Sequence, residues 1–131
     1  MFEFERFGML KSVIVFAHGS RDPLWHEPIK AIAMSIQSQS PKVLVRCAYL
    51  EMTTPSLLDC ASELVALGVK EINLFPLFLG VGRHAREDLP EQAQALREKH
   101  PGVSLKVMPS AGEIPEVVAF LAQTALKGLE L

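Results

Sequence analysis

"KSVIVFAHGSRD", residues 11–22, decides how this chain folds. Five apolar residues in a row, 13–17, run straight into His18, Gly19, Ser20, Arg21 and Asp22. A surface helix spaces its apolar residues three and four apart, and a strand with one wet face alternates. An unbroken run of Val, Ile and Phe instead fits a strand covered on both faces, as parallel strands are. His18 stands where that strand ends.

Three further segments share this character: "KVLVRCAYL" (42–50), "EINLFPLFL" (71–79) and "VSLKVM" (103–108). Pro76 cannot donate to a ladder, so a local irregularity is expected there. Helical spacing fills the intervals. Ile29, Ile32, Ala33 and Ile36 share one face, as do Leu57, Ala61, Leu64 and Val65, which end at Gly68. Leu89, Ala93 and Leu96 line a third helix, closed by Pro101-Gly102. Pro90 biases its predecessor away from helix, so this helix is expected to begin near it. Val118, Leu121, Ala122 and Ala125 line a fourth, opened by Pro115.

Strands and helices therefore alternate, and right-handed crossovers give an α/β fold. The expected architecture is a flavodoxin-like open sheet of four parallel strands, order 2-1-3-4, with helices on both faces. The chain of 131 residues divides into an N-terminal extension, 1–10, and a single domain, 11–131. Met9 is a candidate start, and the opening "MFEFERFGML" lacks the long apolar region of a signal peptide. Thirteen Lys and Arg against 15 Asp and Glu give no basic face for nucleic acid. No apolar run reaches 18 residues, so no membrane span is expected. Cys47 and Cys60 lie in apolar segments and read as buried free thiols, which suits a reducing cytoplasm.

In such sheets ligands bind beyond the carboxyl ends of the strands, where the strand order reverses. His18 follows strand 1, Glu51 follows strand 2 and His84 follows strand 3. In the order 2-1-3 these strands are neighbours about 4.8 Å apart. Two imidazoles and a carboxylate can hold a divalent transition metal. Each residue alone has a plainer explanation, in loop bonding, capping or solvation. His26 and His100 read as structural or solvated. Asp88, four residues after His84, shares a helix face with it and can orient an imidazole or cap a helix. Gly80 and Gly82 let backbone approach a ligand, though neither a dinucleotide fingerprint nor a phosphate loop is present. Arg21, Arg83 and Arg86 gather around the two histidines and suit an acidic ligand. Leu50, Met52, Leu79 and Val81 can pack on a flat apolar ring or in the core.

"HGSRDP", the "LE" before a polar turn and "PSL", and "PLFLGVGRHAREDLP" together resemble the small single-domain class II chelatases, from about Lys11 to Leu126. The resemblance implies insertion of cobalt, iron or nickel into sirohydrochlorin, on routes to cobalamin or sirohaem. It implies that His18 and His84 bind metal, that His18 accepts a proton, and that Glu51 contacts metal or substrate. It assigns Leu79, Gly80, Val81, Gly82, Arg83 and His84 to the loop that touches the tetrapyrrole. It further implies a homodimer without a permanently bound cofactor, the metal being substrate. The turn around Ile114, where relatives often carry histidine, is given no function.

Neutral histidine is the dominant form near pH 7, so His18 or His84 can take a pyrrole proton as the metal leaves. A site without thiolates also releases its ion more readily. Two other readings stay open. A histidine phosphatase would place arginine before the first histidine, whereas here the order is "AHGSR". A metal or tetrapyrrole carrier would keep the pocket without turnover.

Overall fold

Residues 9–129 and Leu131 are described by a computed structural model of the chain. Of the extension assigned to residues 1–10, residues 1–8 lie outside the described residues, and Leu10 already belongs to the first strand.

The elements follow in strict alternation. They are β1 (Leu10–Ala17), a 3-10 turn (Pro23–His26), α1 (Glu27–Gln39), β2 (Leu44–Tyr49), α2 (Leu57–Ala66) and β3 (Val69–Pro76). Then come α3 (Arg83–Lys99), β4 (Ser104–Val107), a second 3-10 turn (Ala111–Glu113) and α4 (Pro115–Leu126). All four strands are parallel, in the order β2-β1-β3-β4. The expected sheet is therefore the observed one.

Two apolar layers sandwich it. On one face Ile14, Phe16, Ile72 and Leu74 meet Leu57, Cys60, Ala61 and Leu64 of α2 and Ala85 and Leu96 of α3. On the other face Val15, Ala17 and Tyr49 meet Ile29, Ile32 and Ile36 of α1. Ile14, Val15 and Phe16 have no exposed surface, which is the physical content of the unbroken apolar run. Helix ends obey local chemistry. The Ser56 hydroxyl accepts from the Asp59 amide at 3.2 Å, and Gly68 closes the other end of α2 at φ +98°.

Three expectations are corrected. Strand 3 stops at Pro76 and does not reach residue 79. Pro76 is its last residue and keeps a regular partner in Phe16, while the register shift lies at Leu10 and Lys11. A terminal proline costs the ladder little. The third helix begins at Arg83 and carries Pro90 in its interior. The lost backbone bond is outweighed by an apolar face, Ala85, Ala93 and Leu96, that docks on the sheet. The stripe of the fourth helix covers no core, because α4 has no buried residue.

Cys60 is buried and Cys47 half-buried, and both are free. Burial pushes the Cys60 thiol up to about 12, helped by the nearby Glu63 carboxylate. Burial also raises Cys47. In the unfolded chain the Cys60 thiol loses its proton near 9, earlier than in the folded one. The unfolded state then holds fewer protons, so stability present below pH 9 is lost as the pH climbs towards 12. Urea midpoints measured from pH 7 to 11 should fall above about pH 9, and Cys60→Ala should flatten that fall. A thiol reagent at pH 8 should label Cys60 only on unfolding.

Candidate functional site

The carboxyl ends of β1, β2 and β3 are stitched together by backbone bonds. The Leu50 amide donates to the Ala17 carbonyl at 2.8 Å, the Glu51 amide to His18 at 3.0 Å and the Leu77 amide to Phe16 at 2.7 Å. The loops that follow must therefore emerge side by side. Gly19 has φ +104°, and a side chain there would collide with the Glu51 carbonyl. Only glycine fits this approach.

A small polar network holds the loop carrying His18. The Ser20 amide donates to Thr53 Oγ1 at 3.0 Å, and the Thr53 hydroxyl donates back to the Ser20 carbonyl at 2.7 Å. Buried His26 lies with Nε2 2.6 Å from the same carbonyl and Nδ1 3.2 Å from the Tyr49 hydroxyl. A carbonyl only accepts, so Nε2 donates to it, and the Tyr49 hydroxyl, which can donate or accept, partners Nδ1. His26 is thus structural, and it braces the site loop. Thr53 and Tyr49 escaped sequence reading because nothing in their spacing marks them.

His84 lies in the first turn of α3, and its Nε2 is 3.2 Å from Glu51 Oε2 and 3.1 Å from Asp88 Oδ2. The helical spacing of four residues brings His84 and Asp88 together, and the β2 loop brings Glu51. One N–H can bridge two carboxylates. One nitrogen and two oxygens are donors of the kind divalent transition metals take, and the two carboxylates would have to close around the ion, because their present spacing is that of ion pairs to His84. The His84 side chain is 61% exposed, so a ligand can reach it.

His18 is exposed at the end of the neighbouring strand, and its ring lies over Phe78 with centroids 4.4 Å apart. No hydrogen bond or ion pair joins the His18 ring to Glu51 or His84 among the described residues. Nor do three His, Cys, Asp or Glu side chains among them form a ready-made metal cluster. Phe78 beneath His18 was also missed, since it reads simply as core.

The surroundings divide by chemistry. Met52 and Leu79 are exposed by 60% and 70%, while Leu50 is buried and Val81 packs on the core. Side chains added at Gly80 or Gly82 would meet open space, so the fold itself does not require glycine there. Arg83 pairs with Glu87 at 3.1 Å within its own helix. Arg21 and Arg86 are exposed and form no ion pair among the described residues. An open basin of about 630 Å³ beside the β1 and β2 loops is lined by Arg21, Lys30, His26, Tyr49 and Met52, among others. Lys30 joins Arg21 there only because α1 packs beside that loop.

The CbiX family model matches residues 12–127. A sirohydrochlorin cobaltochelatase of Methanococcoides burtonii is 30% identical over 103 residues, spanning 79% of this chain and 76% of that protein. A cobalamin (vitamin B12) biosynthesis CbiX protein of Marinobacter aquaeolei superposes with TM-score 0.78 at 28% identity, over 90% of this chain and 96% of that one. The sirohydrochlorin chelatase SirB of Bacillus subtilis, solved with cobalt, shares the fold at TM-score 0.75 and 21% identity, over 91% of this chain and 51% of SirB.

Gly19→Ala should destabilise the protein by about 1–3 kcal/mol, because it strains the backbone and pushes the β1 and β2 loops apart. Gly80→Ala and Gly82→Ala should stay within about 0.5 kcal/mol of wild type. Urea denaturation of the three variants compares them.

Proposed function

The chain belongs to the CbiX family, and from that premise we propose that it inserts a divalent metal ion into sirohydrochlorin. Cobalt is the favoured ion, as in the name of the Methanococcoides relative, with iron and nickel as further substrates. The observation that carries this reading is the His84 nitrogen set between the Glu51 and Asp88 carboxylates. That arrangement offers a landing place for an ion at an exposed edge, where a second molecule can take it away.

Insertion exchanges one divalent ion for two pyrrole protons, so the site must give up a metal and accept protons. His84, with Glu51 and Asp88, would hold the arriving ion. The two carboxylates offset its charge, and hard oxygen donors around one imidazole bind less tenaciously than thiolates. His18, resting on Phe78, would face the ring from the next strand and take a proton from it. As the ion departs, the second pyrrole proton would pass to the freed His84 nitrogen, from which Glu51 and Asp88 can relay it to water.

The substrate is flat, apolar in the middle and acidic at its rim. Met52 and Leu79 supply exposed apolar contacts, and the backbone of Gly80 to Gly82 lets the ring come close. Arg21, Arg86 and Lys30 carry charge left for substrate carboxylates. Arg83 would need to release Glu87 to join them, at small cost for a surface pair. The working unit we propose is a pair of copies in the cytoplasm. No helix among the described residues is long and apolar enough to cross a membrane.

Mixing protein, sirohydrochlorin and cobalt and following the visible spectrum tests the reading. Wild type should outpace the spontaneous reaction over many turnovers, and His84→Ala should lose about 100-fold or more. Asp88→Asn should weaken cobalt binding by roughly 10- to 100-fold. Gly82→Ala should raise KM for the tetrapyrrole several-fold, with stability unchanged. Binding without turnover would select a carrier, and equal rates for His84→Ala and wild type would sink the catalytic role.

A further inference from the structure

Among the described residues the His18 ring has no hydrogen bond or ion pair, and it lies against the Phe78 ring with 4.4 Å between centroids. The residue is exposed, so its place depends on the backbone that carries it. That backbone continues into Gly19, which must be glycine to approach the Glu51 carbonyl and which turns more freely than any other residue. A reacting group on such a segment needs support from elsewhere.

The support converges on Ser20, one residue beyond that glycine. Every polar group of Ser20 is taken. Its amide donates to Thr53 Oγ1 at 3.0 Å, and its carbonyl accepts from the Thr53 hydroxyl at 2.7 Å and from His26 Nε2 at 2.6 Å. Its own hydroxyl accepts from the Asp22 amide at 3.1 Å. A carbonyl has two lone pairs, and here both are used. Thr53 performs two of these tasks with one oxygen, which accepts and donates at once. Only a hydroxyl can do both through a single atom.

The clasp reaches the second site loop as well. Thr53 stands two residues after Glu51, as Ser20 stands two residues after His18. The Glu51 amide donates to the His18 carbonyl at 3.0 Å, so the loops are joined at matching points. Between those points on the β2 side lies Met52 at φ +67°, in a γ-turn closed by the Thr53 amide on the Glu51 carbonyl at 2.8 Å. A residue other than glycine keeps such a backbone only where its surroundings impose it, and the Thr53 clasp supplies that constraint. We propose that Thr53 is a positioning residue: its hydroxyl, backed by His26, fixes the His18 backbone so that the imidazole stays over Phe78 and faces the tetrapyrrole.

Thr53 and Ser20 are half-buried, so water can reach the Ser20 amide and carbonyl once the Thr53 hydroxyl is gone. Losing the clasp therefore costs the fold little and the geometry much. Misplacing a reacting group by about 1 Å lowers turnover by about 100-fold. The substrate contacts proposed for Leu79 and Gly80 to Gly82 come from the β3 loop, which the clasp does not touch. The expected signature is thus a lower kcat with KM kept. For this effect on turnover the proposal rests on the reading of His18 as proton acceptor given above; the placement of the ring does not depend on that reading.

Histidine NMR spectra and steady-state kinetics test it. The Phe78 ring should displace the His18 ring-proton signals, which are identified by their absence in His18→Gln. Thr53→Val should return those signals to the position of an exposed histidine, and Thr53→Ser should leave them as in wild type. In the chelation assay Thr53→Val should lose about 10- to 100-fold in kcat, with KM within about two-fold of wild type. Thr53→Ser should keep nearly the full rate. If Thr53→Val fails to fold by circular dichroism, Thr53→Ala takes its place, since it leaves room for water at the freed groups. Unmoved signals in the variant without a hydroxyl, or a loss that Thr53→Ser shares, would overturn the positioning role. An unchanged kcat would overturn its bearing on turnover, whatever KM does. A wild type that does not turn over sinks the proposed activity alone, because the NMR comparison still decides what holds His18.

Discussion

The last two carbonyls of β1 accept hydrogen bonds from both neighbours, Phe16 from the Leu77 amide and Ala17 from Leu50. Everything at the site depends on that shared edge. It forces the loops after β1, β2 and β3 to leave the sheet within a few ångströms of one another. His18, Glu51 and Phe78 then have no choice of neighbourhood. Burial holds the edge in place, since Ile14, Val15 and Phe16 are fully covered and any slip would uncover apolar surface at roughly 25 cal/mol per Å².

Above this rigid edge the site is soft. Glu51, His84 and Arg86 are exposed, and Arg83 is held only by a surface ion pair. Binding and release of an ion call for such a balance. Deep burial would make the charged residues costly and the ion hard to release, whereas freely moving loops would not hold the donors together. The Ser20, Thr53, His26 and Tyr49 network supplies intermediate stiffness, fastening the backbone while leaving the working side chains in solvent.

Much of this was legible from residue order. The four strands, their parallel sense and the reversal between β1 and β3 follow from apolar runs alternating with helical spacing. The partnership of His84 with Asp88 follows from a separation of four on a helix, once α3 is known to begin before them. The role of His26 was not legible, because its partners lie 6 and 23 residues away and no periodicity joins them. The start of α3 was misjudged because Pro90 speaks of local backbone preference, whereas docking of Ala85, Ala93 and Leu96 on the sheet decides the outcome.

By itself the sequence determined the fold class and the end of the sheet where chemistry gathers, since burial on two faces and helical repeat are both periodic signals. It also marked α4 as a helix. Only the tertiary structure decided that Glu51 and Asp88 share one nitrogen of His84, that Phe78 lies under His18, and that α4 buries none of its residues among those described. Those outcomes are contacts between segments distant in the chain. Strand register and the backbone bonds between the loops after β1, β2 and β3 set the first two, and neither leaves a periodic trace in the order of residues.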